Sequence, residues 1–491
     1  MATGLRANPK RVLLVECNNM SKWVGTNMPY EMHVPPLGLM YLAAFTRSVM
    51  PGVELRIVES SLSCPDDRSF LRILDEFQPD IVGVRCIAFF LEELQRIARL
   101  VSRHSAATLI AGGPIVKAYK SRLFDEVPEL QLAVKGEGEQ VFVNLLSGEA
   151  LPTIAGILYR TAGGVTENAD QPPISDINAL PFPAYDLIDL DLYQCQLSYA
   201  YNHRRQGVLL TSRGCVYHCT YCFTHWKGMR LRSAANIFRE ITELYHHHNI
   251  ADFYIVDDIF NVDPQRAFDL FDLILAADLK LRLYFVNGLR ADITTEQFVD
   301  RAIQAGAVWF TYAVESAAPE IQTLVRKHLN LDKARHIIAY TQSKNVAVNI
   351  STMYGFPTET RALAQQTLDY LAQLPKPSLL PYHFCLRYFP GCEINQQAIE
   401  AGWDAERVEL TSRFSYNDMP MGTPTLSKHD MNDIQLEYHR RFGMNNPTAV
   451  GDAIQTLHSI GYTDTEITHM YSVLKRRVIH HLHDLTMAGD N

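Results

Sequence analysis

The sequence predicts an α/β protein in three parts: an N-terminal Rossmann-like domain, a central partial (β/α)6 barrel and a C-terminal helical region. Three observations carry this prediction. Five short apolar, β-branched runs alternate with helix-length stretches in the first third of the chain, six more do so in the middle, and residues from about 396 onward have helical patterns. Such alternation indicates parallel strands covered by helices.

Length, charge and cysteine content restrict the class of protein further. A chain of 491 residues is too long for one compact core. Its net charge of -9 argues against a dedicated nucleic-acid binder, and no apolar run is long enough to predict a membrane span. Nine cysteines, three of them clustered, and a start without a signal-peptide pattern predict a reducing cytoplasm.

We divide the chain into four segments from these patterns. The predicted segments are a Rossmann-like domain (1–170), a linker rich in Asp and Pro (171–200), the barrel (201–395) and a helical cap (396–491). The strands of the first domain are expected at 11–16, 53–60, 80–86, 107–113 and 130–139. Those of the barrel are expected at 207–212, 252–258, 281–288, 308–316, 346–355 and 382–389.

The strand ends of the first domain are candidate ligand-binding positions, because doubly wound sheets bind ligands at the carboxyl ends of their strands. The residues found there are Asn18, Gly112, Gly113, Pro114, Gly136, Glu137 and Gly138. Glycine lets the backbone approach a ligand closely, but it also makes tight turns before helices. The residues alone leave both interpretations open.

Three cysteines follow the first barrel strand with the spacing Cys-x3-Cys-x2-Cys: Cys215, Cys219 and Cys222. Three thiolates this close can hold three irons of a four-iron, four-sulfur cluster and leave the fourth iron free for a small molecule. A zinc site completed by His218 or His225 is the alternative, although zinc usually takes four ligands in two separated pairs. The spacing therefore favours a [4Fe-4S] cluster.

Polar residues gather at the ends of the other barrel strands, where barrels of this type place their chemistry. They are Asp257, Asp258, Arg290, Asp292, Glu315, Ser316, Asn349 and Ser351. For the paired aspartates a solvated strand end or helix N-cap is the alternative.

The string TSRGCVYHCTYC, with Tyr221 before the last cysteine, resembles the radical S-adenosylmethionine (SAM) family. The strings DD, GLRAD, ES, YGFPTET and PGCE follow in the family's order, and the resemblance spans about residues 205–395. It implies a [4Fe-4S] cluster on the three cysteines, SAM on the open iron, and a 5'-deoxyadenosyl radical made with an electron from an external flavodoxin- or ferredoxin-type donor.

The same resemblance implies roles for individual residues. Glu315 and Ser316 should contact the ribose or methionine moiety of SAM, Tyr221 should help seat the adenine, and Asp257 and Asp258 should lie beside the SAM pocket. We add the strand-end residues Arg290, Asn349 and Ser351 to this cofactor-binding set.

The first domain resembles the cobalamin (vitamin B12)-binding domain that precedes many radical SAM domains. The strings PPLGLMYLAA (35–44), PDIVGV (79–84), IAGGP (110–114) and KGEGE (135–139) carry the resemblance by their order and spacing. It implies that the strand-end residues bind cobalamin, and a relic domain without cobalamin is the alternative. The Asp-x-His-x-x-Gly motif that supplies an axial ligand in other B12 proteins is absent, so we do not expect His33 to bind cobalt.

Cys17, Cys64 and Cys86 raise another alternative, because methylthiotransferases carry a second cluster on three N-terminal cysteines. The surrounding residues do not resemble that domain, and a free buried cysteine behaves as a small apolar residue. In the C-terminal region we expect a helix with a capping box of Thr463 and Glu466, solvated His-rich stretches at 245–248 and 480–483, and an active-site loop at 414–424.

The leading hypothesis is a cobalamin-dependent radical SAM methyltransferase that acts on an unactivated carbon, or a phosphinate phosphorus, of a small molecule. One alternative uses the same radical for ring closure, rearrangement, dehydration or oxidation without methyl transfer. A second alternative, from another class, is a non-catalytic cobalamin or SAM sensor. No motif names the substrate.

Overall fold

The computed structural model describes residues 9–18, 34–193, 204–223, 226, 228–380, 382–411, 422–443, 445–468 and 470–471. The chain forms two compact units: the N-terminal unit comprises Met1–Tyr193 with Thr224–Arg230, and the barrel unit comprises Gln194–Phe223 with Leu231–Asn491. Among the helices of the described ranges, none has the length and apolarity needed to cross a membrane.

The N-terminal unit is built on one sheet in the strand order β2-β1-β3-β4-β5-β6-β7. Its strands are β1 (Arg11–Glu16), β2 (Glu54–Glu59), β3 (Ile81–Arg85), β4 (Thr108–Gly112), β5 (Leu132–Val134), β6 (Ile157–Thr161) and β7 (Gly164–Glu167). The first five are parallel, which confirms the predicted Rossmann-like arrangement, whereas β6 and β7 add an antiparallel hairpin. The hairpin was not predicted, since its glycine-rich turn has the composition of a connector.

Helices cover both faces of this sheet, as parallel strands require. They are α1 (Leu37–Val49), α2 (Ser60–Ser63), α3 (Asp67–Phe77), α4 (Leu91–His104), α5 (Pro114–Tyr119), α6 (Leu123–Glu126) and α7 (Glu139–Leu146). A capping box of Asp66 and Ser69 starts α3, and the buried faces of α3 and α4 pack with the strands into one hydrophobic core. This packing leaves the carboxyl edge of the strands to the connecting loops.

The barrel unit contains a six-stranded sheet in the order β15-β14-β13-β12-β11-β8, with every adjacent pair parallel. The strands of this unit are β8 (Gln206–Leu209), β9 (Ser212–Arg213), β10 (Arg230–Leu231), β11 (Asp252–Ile255), β12 (Arg282–Leu289), β13 (Ala307–Glu315), β14 (Ala347–Tyr354) and β15 (His383–Cys385). All six predicted barrel strands form, and the sheet stays open between β8 and β15. This confirms the partial (β/α)6 barrel.

Two faces of the barrel sheet pack differently. On the outer face Phe285 and Phe310 contact each other, and Phe285 also packs on Phe298 of the surrounding helices. On the inner face Tyr254 and Tyr284 stack with their ring centroids 4.4 Å apart, and Trp309 continues the row 6.3 Å from Tyr284. These large rings fill the amino-terminal end of the barrel, which leaves its chemistry to the carboxyl end.

The helices of the barrel unit follow the strands and then form the C-terminal region. They are α8 (Ala234–His248), α9 (Pro264–Ala276), α10 (Glu296–Gln304), α11 (Pro319–Leu324), α12 (Leu331–Gln342), α13 (Arg361–Leu371), α14 (Glu393–Glu400), α15 (Ala405–Thr411), α16 (Lys428–Phe442) and α17 (Pro447–Ser459). The predicted capping box forms, since Thr463 N–H donates to Glu466 at 2.8 Å and Glu466 N–H donates to the Thr463 hydroxyl at 3.3 Å.

Candidate active site at the strand ends of the barrel

The loop that carries the three cysteines starts from a fixed anchor. The buried Asp257 carboxylate accepts hydrogen bonds from Thr211 N–H at 2.6 Å and from the Ser212 hydroxyl at 2.7 Å, and also from the Thr211 hydroxyl. Burial raises the pKa of Asp257, while Arg266 and these donors lower it. Asp257 therefore holds the start of the cysteine loop, and its oxygens are occupied by protein donors.

The cysteine side chains lie at an accessible part of this loop. Cys215 and Cys219 are half-buried and Cys222 is exposed. Tyr217 N–H donates to the Cys215 sulfur at 3.4 Å, and Cys222 N–H donates to the Cys219 carbonyl at 3.1 Å, so the loop folds back on itself. Burial raises the pKa of the Cys215 thiol, and the Asp258 carboxylate raises it further. Without a metal the thiol stays protonated, and bound iron would supply the positive charge that deprotonates it.

The geometry bears on the choice between zinc and an iron–sulfur cluster. Across the described ranges, no three His, Cys, Asp or Glu side chains converge closely enough to hold a single metal ion. A cubane cluster separates its thiolates further than one ion does, because each thiolate binds a different iron. The spacing of the three cysteines on one loop predicts that wider donor set, and His225 lies outside the described residues.

Glu315, Tyr221 and Lys327 form a buried polar group next to the cysteine loop. The Lys327 ammonium lies 3.0 Å from Glu315 Oε1, and the Tyr221 hydroxyl donates to the same oxygen at 3.2 Å. Burial and the Glu315 charge raise the pKa of Tyr221, so its hydroxyl remains a donor. Glu315 ends β13 with a φ of 68°, a conformation that few residues other than glycine adopt and that often marks a functional position.

Sequence reasoning missed Lys327, although it is 7% exposed and lies beside a predicted SAM residue. A buried lysine requires an anionic partner. The sequence does not show that Lys327 pairs with Glu315, because the two are twelve positions apart. The signal available was the short helix α11 between Glu315 and Lys327, because a single helical segment can bring its two ends close together.

Arg290 connects the cysteine loop to the segment that carries Lys327. Its guanidinium lies 4.0 Å from the ring centroid of Tyr217 and donates to the carbonyl of Lys327 at 2.9 Å. A 2.9 Å ion pair with Asp292 holds it in place. With these partners Arg290 positions the loop through Tyr217, so the predicted contact with a cofactor stays a prediction.

Asp258, in contrast to Asp257, is exposed next to the cysteines. Desolvation by the surrounding protein raises the pKa of Asp258 to about 6, and the negative charge of the neighbouring Asp257 raises it as well. Its charge acts on both Cys215 and Cys222. Of the aspartate pair, Asp258 is therefore the one that can meet a cofactor.

The other predicted barrel residues differ in accessibility. Ser316 is fully buried, and its hydroxyl bonds to Thr367 at 3.2 Å. Asn349 is also fully buried and accepts a hydrogen bond from Leu380 N–H at 3.1 Å. Ser351 is half-buried and is paired in register with Ala313, on the inner face of the sheet. Ser351 is thus the member of this group that is open to a ligand.

The strand ends of the N-terminal unit present backbone more than side chains. Asn18 donates to Glu59 at 2.7 Å, and Glu137 pairs with Arg230 and accepts from Ile174 N–H at 2.8 Å. The glycines and the proline there shape the loops: Gly113 and Pro114 begin α5, Gly138 precedes α7, and Gly136 has a φ of 76°. A Cβ added at Gly112 or Gly136 would meet no described residue within 4 Å, so among these residues the edge has room for a ligand.

Three further predictions concern cysteines, histidines and loops. Cys17, Cys64 and Cys86 are free thiols buried in the hydrophobic core of the N-terminal unit, which fits the apolar interpretation. The stretch 245–248 ends α8 with exposed or half-buried histidines. His33, residues 480–483 and most of the proposed loop at 414–424 lie outside the described residues.

Two family models match the chain, one in each unit. Residues 209–371 match the radical SAM superfamily, and residues 24–146 match the B12-binding domain. The first range contains the cysteine loop, Glu315 and Lys327, and the second contains the carboxyl ends of β2 to β5.

Three relatives cover between 69% and 84% of the chain. An uncharacterized methyltransferase of Pyrococcus horikoshii is 25% identical, with 69% of this chain and 73% of that protein covered. Cytidylyl-2-hydroxyethylphosphonate methyltransferase of Streptomyces wedmorensis is 25% identical, with coverage of 84% and 87%. Anaerobic magnesium-protoporphyrin IX monomethyl ester cyclase of Rubrivivax gelatinosus is 21% identical, with coverage of 84% and 74%.

A solved structure shares the fold along nearly the whole chain. The radical SAM methyltransferase TsrM of Kitasatospora setae, solved with tryptophan and a SAM analog, superposes with a TM-score of 0.68 and 18% identity. The match covers 97% of this chain and 100% of TsrM. At this identity the likeness shows the fold.

Proposed function

The chain carries a B12-binding domain followed by a radical SAM domain, and from this premise we propose that it is a cobalamin-dependent radical SAM methyltransferase. The observation that supports the proposal is the presence of both domains in one chain, with an accessible three-cysteine loop at the barrel's carboxyl edge. Relatives named as methyltransferases, which match 69% and 84% of the chain, support it too. The acceptor is an unactivated carbon, or a phosphinate phosphorus, of a small molecule.

The chain's own residues would bind, orient and shield the cofactors, which carry the difficult chemistry. When bound, the cluster and SAM supply the 5'-deoxyadenosyl radical, and cobalamin supplies the transferable methyl group. Cys215, Cys219 and Cys222 would hold the cluster. Glu315, with Lys327 fixing its carboxylate at 3.0 Å, would accept hydrogen bonds from the ribose hydroxyls or the methionine ammonium of SAM.

A second candidate function is a radical ring closure or oxidation without methyl transfer. The similarity to magnesium-protoporphyrin cyclases favours it, since these proteins match a comparable length of the chain at 21% identity. Both functions use the same cysteine loop and SAM residues, so the fate of the methyl group of SAM separates them.

Anaerobic incubation with SAM and a reductant, with and without cobalamin, tests the proposal. A methyltransferase should form 5'-deoxyadenosine and, only when cobalamin is present, S-adenosylhomocysteine. Formation of 5'-deoxyadenosine alone under both conditions would favour the second candidate. Cys222→Ala protein serves as the control and should form neither product.

The cysteines and the cluster also bear on the cellular compartment and on the electron donor. The described cysteines are all free thiols, which supports a reducing cytoplasm. Reduction of a [4Fe-4S] cluster requires an external one-electron donor, and a flavodoxin or ferredoxin has the chemistry for it.

A further inference from the structure

Arg85 occupies the ligand-binding point of the N-terminal sheet. In the order β2-β1-β3-β4-β5, the chain connections diverge between β1 and β3, and such sheets bind ligands in the crevice at that point. Arg85 is the last residue of β3, and it is paired in register with Glu16, the last residue of β1. Arg85 therefore lies where the two strands that border the crevice, β1 and β3, end side by side.

Two glycines make room for the Arg85 side chain. A Cβ at Gly38 would lie 3.3 Å from Arg85 Nε, and a Cβ at Gly113 would lie 2.9 Å from Arg85 Cγ and 3.0 Å from the Cys86 carbonyl. Gly113 has a φ of 85°, so a larger residue would be strained as well as crowded there. Gly38 and Gly113 thus leave space for the aliphatic part of the Arg85 side chain. The side chain as a whole is 34% exposed.

The charges around Arg85 leave it able to bind an anion. Its one ion pair among the described residues is with Glu16, whose other oxygen is buried without a hydrogen-bond partner. Burial raises the pKa of Glu16 to about 7. Near neutral pH its carboxyl group is therefore partly protonated and attracts the Arg85 guanidinium less. Helix α1 starts beside Arg85 with no side-chain cap and no acidic residue in its first turn, so its N-terminus adds positive potential.

We propose that Arg85 binds the phosphodiester of the nucleotide loop of cobalamin. This inference rests on the proposed function and names a residue outside the predicted cofactor set. The side chains of the corrin ring are neutral amides, so the phosphodiester is the anionic group of the ligand's periphery. The planar guanidinium matches phosphate oxygens with two parallel N–H donors, which a lysine cannot do.

Cobinamide, the corrin without its nucleotide loop, provides the test. We would titrate apo-protein anaerobically with cobalamin and with cobinamide and follow the corrin absorbance, comparing wild type with Arg85→Gln and Arg85→Lys. Loss of a charged hydrogen bond should weaken cobalamin binding about ten- to a hundredfold in Arg85→Gln. Arg85→Lys should fall between, and the affinity for cobinamide should change less than about twofold in either variant, since the phosphate contact is absent.

Arg47→Gln is the matched control. Arg47 lies in the last turn of the same helix α1, paired with Asp186 at 2.6 Å, away from the strand ends. Its substitution should leave both affinities unchanged. An equal loss of affinity for cobalamin and cobinamide would show that Arg85 contacts the corrin or shapes the fold. Unchanged cobalamin binding would show that Arg85 does not contact the ligand. Either result overturns the inference. Wild-type protein that binds neither corrin would instead overturn the proposed function.

Discussion

The two sheets of this protein both direct function to the carboxyl ends of parallel strands, but they equip those ends differently. The barrel edge gathers ionisable side chains: three cysteines, Asp258, and the Glu315–Lys327 pair joined at 3.0 Å. The N-terminal edge is made of glycine turns, and most of its charged residues are paired within the protein, as Glu137 is with Arg230. Arg85 is paired as well, with Glu16, but its side chain stays 34% exposed.

The difference matches the ligands that the two domains bind. Iron and the charged ends of SAM are recognised by thiolates and ion-pairing groups, so the barrel edge needs several side chains at fixed positions. A large macrocycle bearing neutral amides is recognised by shape and by backbone that can approach it closely. Substitutions should therefore act locally and strongly at the barrel edge, whereas at the N-terminal edge those at positions other than Arg85 should act weakly or through backbone strain.

The largest expected effect separates the cysteines of the two units. Each of Cys215→Ala, Cys219→Ala and Cys222→Ala should abolish the cluster after anaerobic reconstitution, because three protein thiolates are the minimum for this site. Iron and sulfide analysis of the reconstituted proteins would measure it.

The matched controls are the buried cysteines of the N-terminal unit. Cys17→Ala, Cys64→Ala and Cys86→Ala should leave the iron content nearly unchanged, since these thiols lie in the hydrophobic core. A second cluster that depends on them would contradict this difference and support a methylthiotransferase.

The next effect concerns SAM at the barrel edge. Glu315→Ala should keep the cluster but weaken SAM binding about ten- to a hundredfold, because one or two hydrogen bonds to a charged group are lost. Lys327→Met should act through the same carboxylate, and a double-mutant cycle should show coupling, since the two groups are 3.0 Å apart. Equilibrium binding of SAM to the reconstituted protein measures both.

Glu320→Ala is the control for this pair. Glu320 is an exposed acid in α11, between Glu315 and Lys327 in the chain, and its substitution should leave SAM affinity unchanged. Additive effects of Glu315 and Lys327 would show that the ion pair does not matter for SAM.

The comparison also shows what sequence reasoning can reach. Strand positions and the cysteine motif were predictable because strand periodicity and the Cys-x3-Cys-x2-Cys spacing are local signals. The different roles of Asp257 and Asp258 were not predictable, because they depend on which of the two carboxylates accepts a hydrogen bond from Thr211, which follows the neighbouring strand β8. Arg85 escaped notice because its importance comes from the register with Glu16 and the space left by two glycines. Such contacts between distant positions have no local pattern.

A smaller effect should give His383 and Glu16, one in each unit, opposite contributions to the pH dependence of stability. In the barrel unit His383 is buried between Tyr354 and Tyr438, and burial lowers its pKa from 6.5 to about 3. Below pH 6.5 the unfolded chain takes up a proton that folded His383 does not, so stability falls as the pH falls. The loss should reach about 2 kcal/mol between pH 6.5 and 5.

Glu16 in the N-terminal unit should have the reverse slope. Its folded pKa is about 7 against 4.5, so the folded state binds the extra proton, and the stabilisation disappears as the pH rises from 4.5 through 7. Denaturant unfolding across pH 5 to 8 would compare wild type with His383→Gln and Glu16→Gln. Each substitution should remove one slope only, and a slope that persists in its variant would show that another group causes it.

The smallest effect distinguishes two adjacent glycines at the N-terminal edge. Gly113→Ala should lower stability by about 1–3 kcal/mol, because Gly113 has a φ of 85° and its Cβ would lie 2.9 Å from Arg85. Gly112→Ala should change stability by less than about 0.5 kcal/mol, since a Cβ there meets none of the described residues within 4 Å. If the macrocycle approaches this edge, Gly112→Ala should still weaken cobalamin binding by placing a methyl group in its way. Thermal unfolding and corrin titration of the same two variants therefore separate strain inside the protein from contact with the ligand, and a Gly112→Ala protein that binds cobalamin normally would place the ligand elsewhere along the edge.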